Sequence, residues 1–220
     1  MTKVFTLLHR RSGWSGAQFS EYWATIHKEH ALDLAREGFF TGYIQNHLIS
    51  DLRASGWPAA DGIPEIWTPT ADSLAELAAS ELYQQGAAKD EPNFTSGKIV
   101  SYVGDEGPER VLGVLSCPTP GIRHLLFAHA DSQRQFGQIT GILEQCNQGR
   151  AADVYSISHA AGERAQGVLC SGFWDDVKAA QQGVSVLASL LLQLPGVRPL
   201  NAGLYKSMVI VRPQCDQRVT

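Results

Sequence analysis

The sequence predicts an α+β protein made of two tandem βαββαβ units, the ferredoxin-like arrangement. Three observations carry this. Short stretches with strand character are separated by longer ones at the helical period of 3.6. The order strand, helix, strand, strand, helix, strand runs once to Val103 and again to Val211. Local echoes recur at matching places: Tyr43-x-x-x-His47 against Tyr155-x-x-x-His159, and Glu65-Ile66-Trp67 against Gly172-Phe173-Trp174.

Taken in order, Val4 to His9 reads as a strand. Ser15 opens a helix, with Gln18 three residues on completing a capping-box pattern. The helix runs to about Glu37, where Gly38 ends it. Tyr43 to Ile49 and Ile63 to Trp67 are strands, Asp72 to Leu82 a helix, and Lys98 to Val103 the last strand of the unit. The second unit reads as a strand at Val111 to Ser116 and a helix at Ser132 to Gln145. Strands follow at Val154 to His159 and Val168 to Trp174, then a helix at Asp176 to Leu192 and a strand at Leu204 to Val211. The link Gly104-Asp105-Glu106-Gly107-Pro108-Glu109 is charged and glycine-rich, as a boundary should be. The expected domains are therefore 1–107 and 108–220. A repeat of about 110 residues is too long for a solenoid.

A chain of 220 residues can bury a core in either case. The net charge is −4 and the pI about 6.0, with no basic stripe, so no nucleic acid partner is expected. The start, Met1-Thr2-Lys3-Val4-Phe5, runs straight into a strand and has no signal-peptide pattern. The longest apolar stretch, Val184 to Leu194, is too short to span a bilayer. We expect a cytoplasmic protein without membrane contact. Cys117, Cys146, Cys170 and Cys215 form no CxxC pair, so reduced thiols are expected. GxGxxG, P-loop, GxSxG and HExxH motifs are absent from the sequence.

At 100° per residue, Phe19, Tyr22, Trp23, Ile26 and Leu34 make one stripe of the first helix. His30 falls at its centre and His27 on its edge, so both reach the space between helix and sheet. Each is either a core histidine or a functional one. The pair has i, i+3 spacing, but Glu29 lies on the opposite side, and no metal site is expected. His9 shares a strand face with Phe5 and Leu7, and His47 one with Tyr43 and Gln45. If Phe5 and Tyr43 face the helices, then His9, His27 and His47 line one pocket. Alternation does not say which face is which where both are buried. Glu65 lies on an apolar strand face with Ile63 and Trp67, where a carboxylate needs a partner. A histidine, Arg10 or Arg11 would serve.

Several of these residues resemble the EthD family of the dimeric α/β-barrel superfamily. They are Lys3-Val4-Phe5-Thr6-Leu7-Leu8 with Arg10, then Phe19, Tyr22-Trp23 and His27, and Tyr43-Ile44-Gln45-Asn46-His47. Asp61-Gly62, Glu65-Ile66-Trp67 and Asp90-Glu91-Pro92-Asn93-Phe94 continue the match, which covers about residues 3–105. The second half departs from the pattern: Phe136-Gly137-Gln138-Ile139 stands where Tyr-Trp-x-x-x-His would fall. The resemblance implies that two sheets face each other as an α/β barrel. It leaves open whether the second sheet comes from this chain or from a homodimer partner.

It also places His27 at the family's characteristic histidine. The expected function is a cofactor-independent lyase, isomerase or cyclase acting on a small apolar or aromatic oxygenated compound. His27 would be the general base or acid, with His47 or Tyr43 as oxyanion donor. His9, Tyr22, Trp23, His30, Asn46, Glu65 and Trp67 are expected around the substrate. Asn93 and Phe94 are read as holding the entry to the last strand. The alternatives are a small-molecule-binding or auxiliary protein of an oxygenase system and a cofactor-free monooxygenase. Haem binds in other branches of the superfamily, but nothing in the residues singles out a haem pocket.

Overall fold

The computed structural model describes residues 2–52, 56–70, 72–104, 110–112, 121–130, 133–147, 152–159 and 167–213. Its elements are β1 (Thr2–Arg10), α1 (Gly16–Tyr22), a π-helical turn (Trp23–His27), α2 (Lys28–Arg36), β2 (Gly42–Asp51) and β3 (Gly62–Thr68). Next come α3 (Ser73–Ala79), α4 (Glu81–Gln85), α5 (Ala87–Phe94), β4 (Thr95–Gly104), β5 (Arg110–Leu112) and β6 (Gly121–His129). The chain continues through α6 (Gln133–Asn147), β7 (Ala152–His159), β8 (Gly167–Trp174), α7 (Val177–Leu192) and β9 (Arg198–Val211).

The strands pair in the order β4-β1-β3-β2-β9-β6-β8-β7, and β7 returns to β4 through Tyr102↔His159 and Val103↔Ser158. The result is a closed, antiparallel, eight-stranded barrel, with β5 appended to β7. Within residues 2–104 the order is fourth, first, third, second strand. Strands β9-β6-β8-β7 repeat that order. The two seams are β2–β9 and β4–β7, so closure uses one chain and no second copy.

Closure decides the faces. Phe5, Leu7, Ile63, Tyr102, Leu125, Phe127, Ile157, Leu169 and Tyr205 come from different strands around the whole barrel, yet they form one buried cluster. Only the barrel interior can bring them together. The alternate residues face outward beneath helices. Leu126, Ala128, Val168, Cys170, Ala202 and Leu204 pack under α6 and α7. Val4, Thr6, Leu8, Tyr43, Pro64 and Ile66 lie under the helices of the first half.

Local differences from the sequence reading have physical causes. The capping box at Ser15 forms: its hydroxyl accepts from Gln18 N, and Gln18 Oε1 accepts from Ser15 N at 2.9 Å. The first helix is not uniformly α. The Thr25 hydroxyl donates to the Glu21 carbonyl at 2.7 Å, the carbonyl that Thr25 N–H would take in an α-helix, and the turn widens to π. The wider turn shifts the phase of everything after it. Ile26, expected in the apolar stripe, is 51% exposed, and His27 is buried. The helix expected over Asp72 to Leu82 breaks at Ser80, whose backbone is extended and whose hydroxyl caps α4. Residues 113–116 of the strand expected at Val111 to Ser116 lie outside the described residues, and β5 covers only Arg110–Leu112. The barrel strand of that position is β6, whose interior run Leu125-Leu126-Phe127-Ala128 is buried on both faces and so shows no alternation. Cys146 and Cys170 are free thiols, and Cys117 and Cys215 lie outside the described residues.

Candidate active site

A cavity of about 540 Å³ lies between the outer face of the first-half sheet and its helices. Val4, Thr6, Leu8, Tyr43, Pro64, Ile66 and Ser101 form its floor, and Trp23, His27, Ala31 and Leu34 its roof. Leu77, Tyr83, Ala87, Glu91 and Phe94 close one side. The lining is mostly apolar, with a few polar groups, as small-molecule sites are.

His27 reaches this cavity because the π turn rotates it inward. Its Nδ1 lies 2.9 Å from Asp90 Oδ2 on α5. Asp90 Oδ1 accepts from the Tyr22 hydroxyl at 2.6 Å and from Asn93 Nδ2 at 3.0 Å. Burial alone would raise the Asp90 pKa, but the bonds from Tyr22, Asn93 and His27 outweigh it and hold the carboxyl below its usual range. An ionised Asp90 makes Nδ1 the protonated nitrogen of His27 and leaves Nε2 with its lone pair. Burial lowers the His27 pKa, opposed by the Asp90 bond and charge. The Phe94 ring packs on the imidazole, with centroids 4.7 Å apart. The result is a neutral imidazole with one tautomer, fixed in place beside an apolar space.

Tyr43 sits on the same floor. Its oxygen accepts from Trp23 Nε1 at 3.1 Å and from Gln45 Nε2 at 3.0 Å. Both bonds use the lone pairs, so the phenolic O–H remains available as a donor. Burial pushes its pKa up, which keeps that proton in place. Trp23 is seated against the sheet at Gly62, where an added Cβ would come within 2.5 Å of the indole.

His47 shares this sheet face but not the cavity lining. Its Nδ1 bonds the Ser20 hydroxyl at 2.7 Å, its Nε2 bonds Gln45 Oε1 at 3.1 Å, and Trp23 lies against its ring. Burial and the nearby Lys206 charge lower its pKa to about 4. Of the two candidates, Tyr43 lines the cavity and His47 does not. Tyr22 turns to Asp90, and His30 stands edge-on to His27 at 6.1 Å, half-buried beside Gly86. Neither Tyr22 nor His30 lines the cavity.

His9, Asn46, Glu65 and Trp67 do not join His27. Tyr43 faces the helices, but Phe5 faces the barrel interior, so the condition that would have grouped His9 with His27 and His47 is not met. His9 adjoins a β-bulge in β1, away from the cavity. Asn46 and Glu65 are fully buried on the inner face. Asn46 donates to Glu65 Oε1 at 2.8 Å and accepts from Ser207 at 2.6 Å. Glu65 pairs with Lys3 at 2.8 Å and with Arg123 from the opposite half, not with Arg10, Arg11 or a histidine. Trp67 lies under the Lys3 ammonium at 4.6 Å, and Arg10 pairs with Asp61 instead. Among the described residues no group of three or more His, Cys, Asp or Glu side chains is placed to hold a metal ion. Nor is any of their helices long and apolar enough to cross a membrane.

Sequence reasoning missed Asp90, Tyr83, Glu91 and Phe94 as parts of the site. Asp90, Glu91 and Phe94 belong to the Asp-Glu-Pro-Asn-Phe string, of which Asn93 and Phe94 are read from sequence as holding the entry to the last strand. That string forms α5 and supplies both a partner and a wall for His27.

A closed α/β barrel with a His–Asp pair at an apolar cavity defines the class. Residues 11–98 match the EthD domain family. No curated protein sequence matches the chain. Among solved structures, it resembles a proposed chlorite dismutase with a TM-score of 0.54 and 11% identity, covering 94% of each chain. A haem-binding protein from Thermus thermophilus has a TM-score of 0.50 at 13% identity, covering 94% of this chain and 90% of that one. A proposed monooxygenase from Fusobacterium nucleatum also scores 0.50, at 11% identity, covering 97% and 94%. At these identities the likeness shows the fold, a ferredoxin-like α/β barrel.

Proposed function

We propose that this chain is an enzyme that moves protons without a cofactor on a small, mostly apolar or aromatic carbonyl or phenolic compound. The observation that carries this is the His27–Asp90 pair at the wall of the apolar cavity. His27 Nε2 takes a proton from carbon next to a carbonyl, or from a phenol. Tyr43 then donates to the oxyanion that forms. Asp90 holds the ring orientation and steadies the imidazolium. Lyase, isomerase and cyclase reactions share this step. The repeated strand order supports reading residues 1–107 and 108–220 as duplicated ferredoxin-like domains. The first carries the pocket and the second closes the barrel.

Haem, which one fold neighbour binds, does not fit this donor set. Among the described residues the cavity lining holds no lysine or arginine to receive two propionates, and the Glu91 carboxyl would repel them.

The test is mass spectrometry of the purified protein with aromatic and polyketide-like carbonyl compounds, beside His27→Ala. Conversion by wild type alone supports the proposal. A ligand retained by both proteins and converted by neither overturns it in favour of a binding protein.

A further inference from the structure

The cavity contains two polar pairs that proton abstraction does not use, and one of them holds a carboxyl. Glu91 follows Asp90 directly on α5, yet the two side chains serve different spaces. Asp90 turns to Tyr22, Asn93 and His27. Glu91 lines the cavity, with its Oε1 accepting from the Tyr83 hydroxyl at 3.1 Å, and Tyr83 lines it too. The two hydroxyls of the floor, Thr6 and Ser101, bond each other at 2.9 Å.

We infer that Glu91 is the general acid of this cavity and that its substrates are β-hydroxy carbonyl compounds, from which the site eliminates water. This rests on His27 being the base. The geometry supplies three separate roles: an imidazole lone pair, a phenol that donates to an oxyanion, and a second carboxyl in the same cavity. A proton shift alone needs only the first two, since one base can return the proton it took. A hydroxide leaving group needs its own proton. Of the remaining polar lining groups, Glu91 is the carboxylic acid.

The environments of the two neighbouring carboxyls support that division. Burial raises the Glu91 pKa and the Asp90 charge adds to it, against the opposing Tyr83 bond. Asp90 is held low by its three donors. Paired carboxyls pushed in opposite directions divide into an acid and an ionised partner.

The step balances. His27 Nε2 takes the α-proton, and the C–H electron pair forms an enolate whose oxygen Tyr43 holds. Collapse of the enolate makes the carbon–carbon double bond and breaks the β C–O bond. The oxygen leaves as water with the Glu91 proton, giving an α,β-unsaturated carbonyl. The imidazolium proton returns to the Glu91 carboxylate through solvent. No oxidant or reductant enters.

The probe is the β-hydroxy ketone formed from benzaldehyde and acetone, in deuterium oxide. Nuclear magnetic resonance reads α-proton exchange, and ultraviolet absorbance reads the conjugated enone. Wild type should do both, and His27→Ala neither. Glu91→Gln, nearly the same shape, should raise the ratio of exchange to elimination on the order of a hundredfold, the scale of general acid catalysis. Tyr83→Phe should move the same ratio in the same direction by less, and it keeps the test open if Glu91→Gln does not fold. An unchanged ratio in both variants, or exchange without elimination by wild type, overturns the inference and leaves the His27 base standing. Absence of both exchange and elimination in wild type overturns the base itself, and the inference with it.

Discussion

His27 Nδ1 and Asp90 Oδ2 lie 2.9 Å apart, joining the first long helix to the short helix before β4 across 63 positions of sequence. The contact exists because two local irregularities meet. The π turn brings His27 inward, and the break after Ala79 lets α5 run back toward it. Asp90→Asn keeps the shape but not the charge. We expect kcat to fall at least roughly tenfold, because the imidazolium loses its counter-charge and its orientation. Stability should fall by about 1–3 kcal/mol, the cost of unpairing a buried polar group. Steady-state kinetics with urea unfolding checks both.

The pH profile follows from the direction of the His27 shift. Burial lowers this pKa from its ordinary 6.5, so the basic form persists below that value. The acid limb of kcat/KM should have its midpoint below pH 6.5 in wild type. The Asp90 charge raises the His27 pKa, so Asp90→Asn should move the limb to still lower pH. A limb at or above 6.5 would contradict the burial of the ring.

His47 makes a separate prediction, for stability. Its pKa falls from 6.5 in the unfolded chain to about 4 in the folded one. Between these values the unfolded chain binds a proton that the folded chain refuses, so stability declines as pH drops from 6.5 to 4. The shift corresponds to on the order of 3 kcal/mol. His27, also lowered from 6.5, adds over the same range, and Asp90 adds below its ordinary 3.8. Urea midpoints across this range should fall for wild type and fall less steeply for His47→Gln.

Tyr43→Phe removes the proposed oxyanion donor and the acceptor of Trp23 and Gln45 at once. We expect kcat to fall by about 10²–10³, the loss seen for one oxyanion-hole donor. Two buried donors lose a partner, so stability should drop by about 1–3 kcal/mol. Kinetics and thermal unfolding of the single variant separate the two effects.

Arg123→Ala tests the barrel rather than the cavity. Arg123 meets Glu65 from the opposite half and also bonds Ser171 at 2.7 Å. Removing it leaves a buried carboxylate balanced by Lys3 alone. Loss of one partner of a buried pair costs about 3–5 kcal/mol. The cavity lies on the other sheet face, so kcat of the remaining folded enzyme should stay near wild type.

Most of the strands and helices of the first unit and the capping box at Ser15 were legible from period and spacing alone, because local hydrogen bonding and burial on one side write themselves into short stretches. His27 and Tyr43 were legible as candidates for the same reason. The sheet face of each strand was not. Both faces of this barrel are buried, so Phe5 and Val4 look alike in sequence, and nothing in the sequence separates Asn46, Glu65 and Trp67 from the residues that line the cavity. Strand β6 was missed because its doubly buried run has no alternation. One extra residue in the π turn reverses which of Ile26 and His27 is inside, an effect that a fixed 100° step does not contain. The partners Asp90, for His27, and Arg123, for Glu65, are separated from them by 63 and 58 positions. Chain closure alone brings such residues together, so the sequence by itself determined the elements and the chemical groups, and the tertiary structure decided which groups meet.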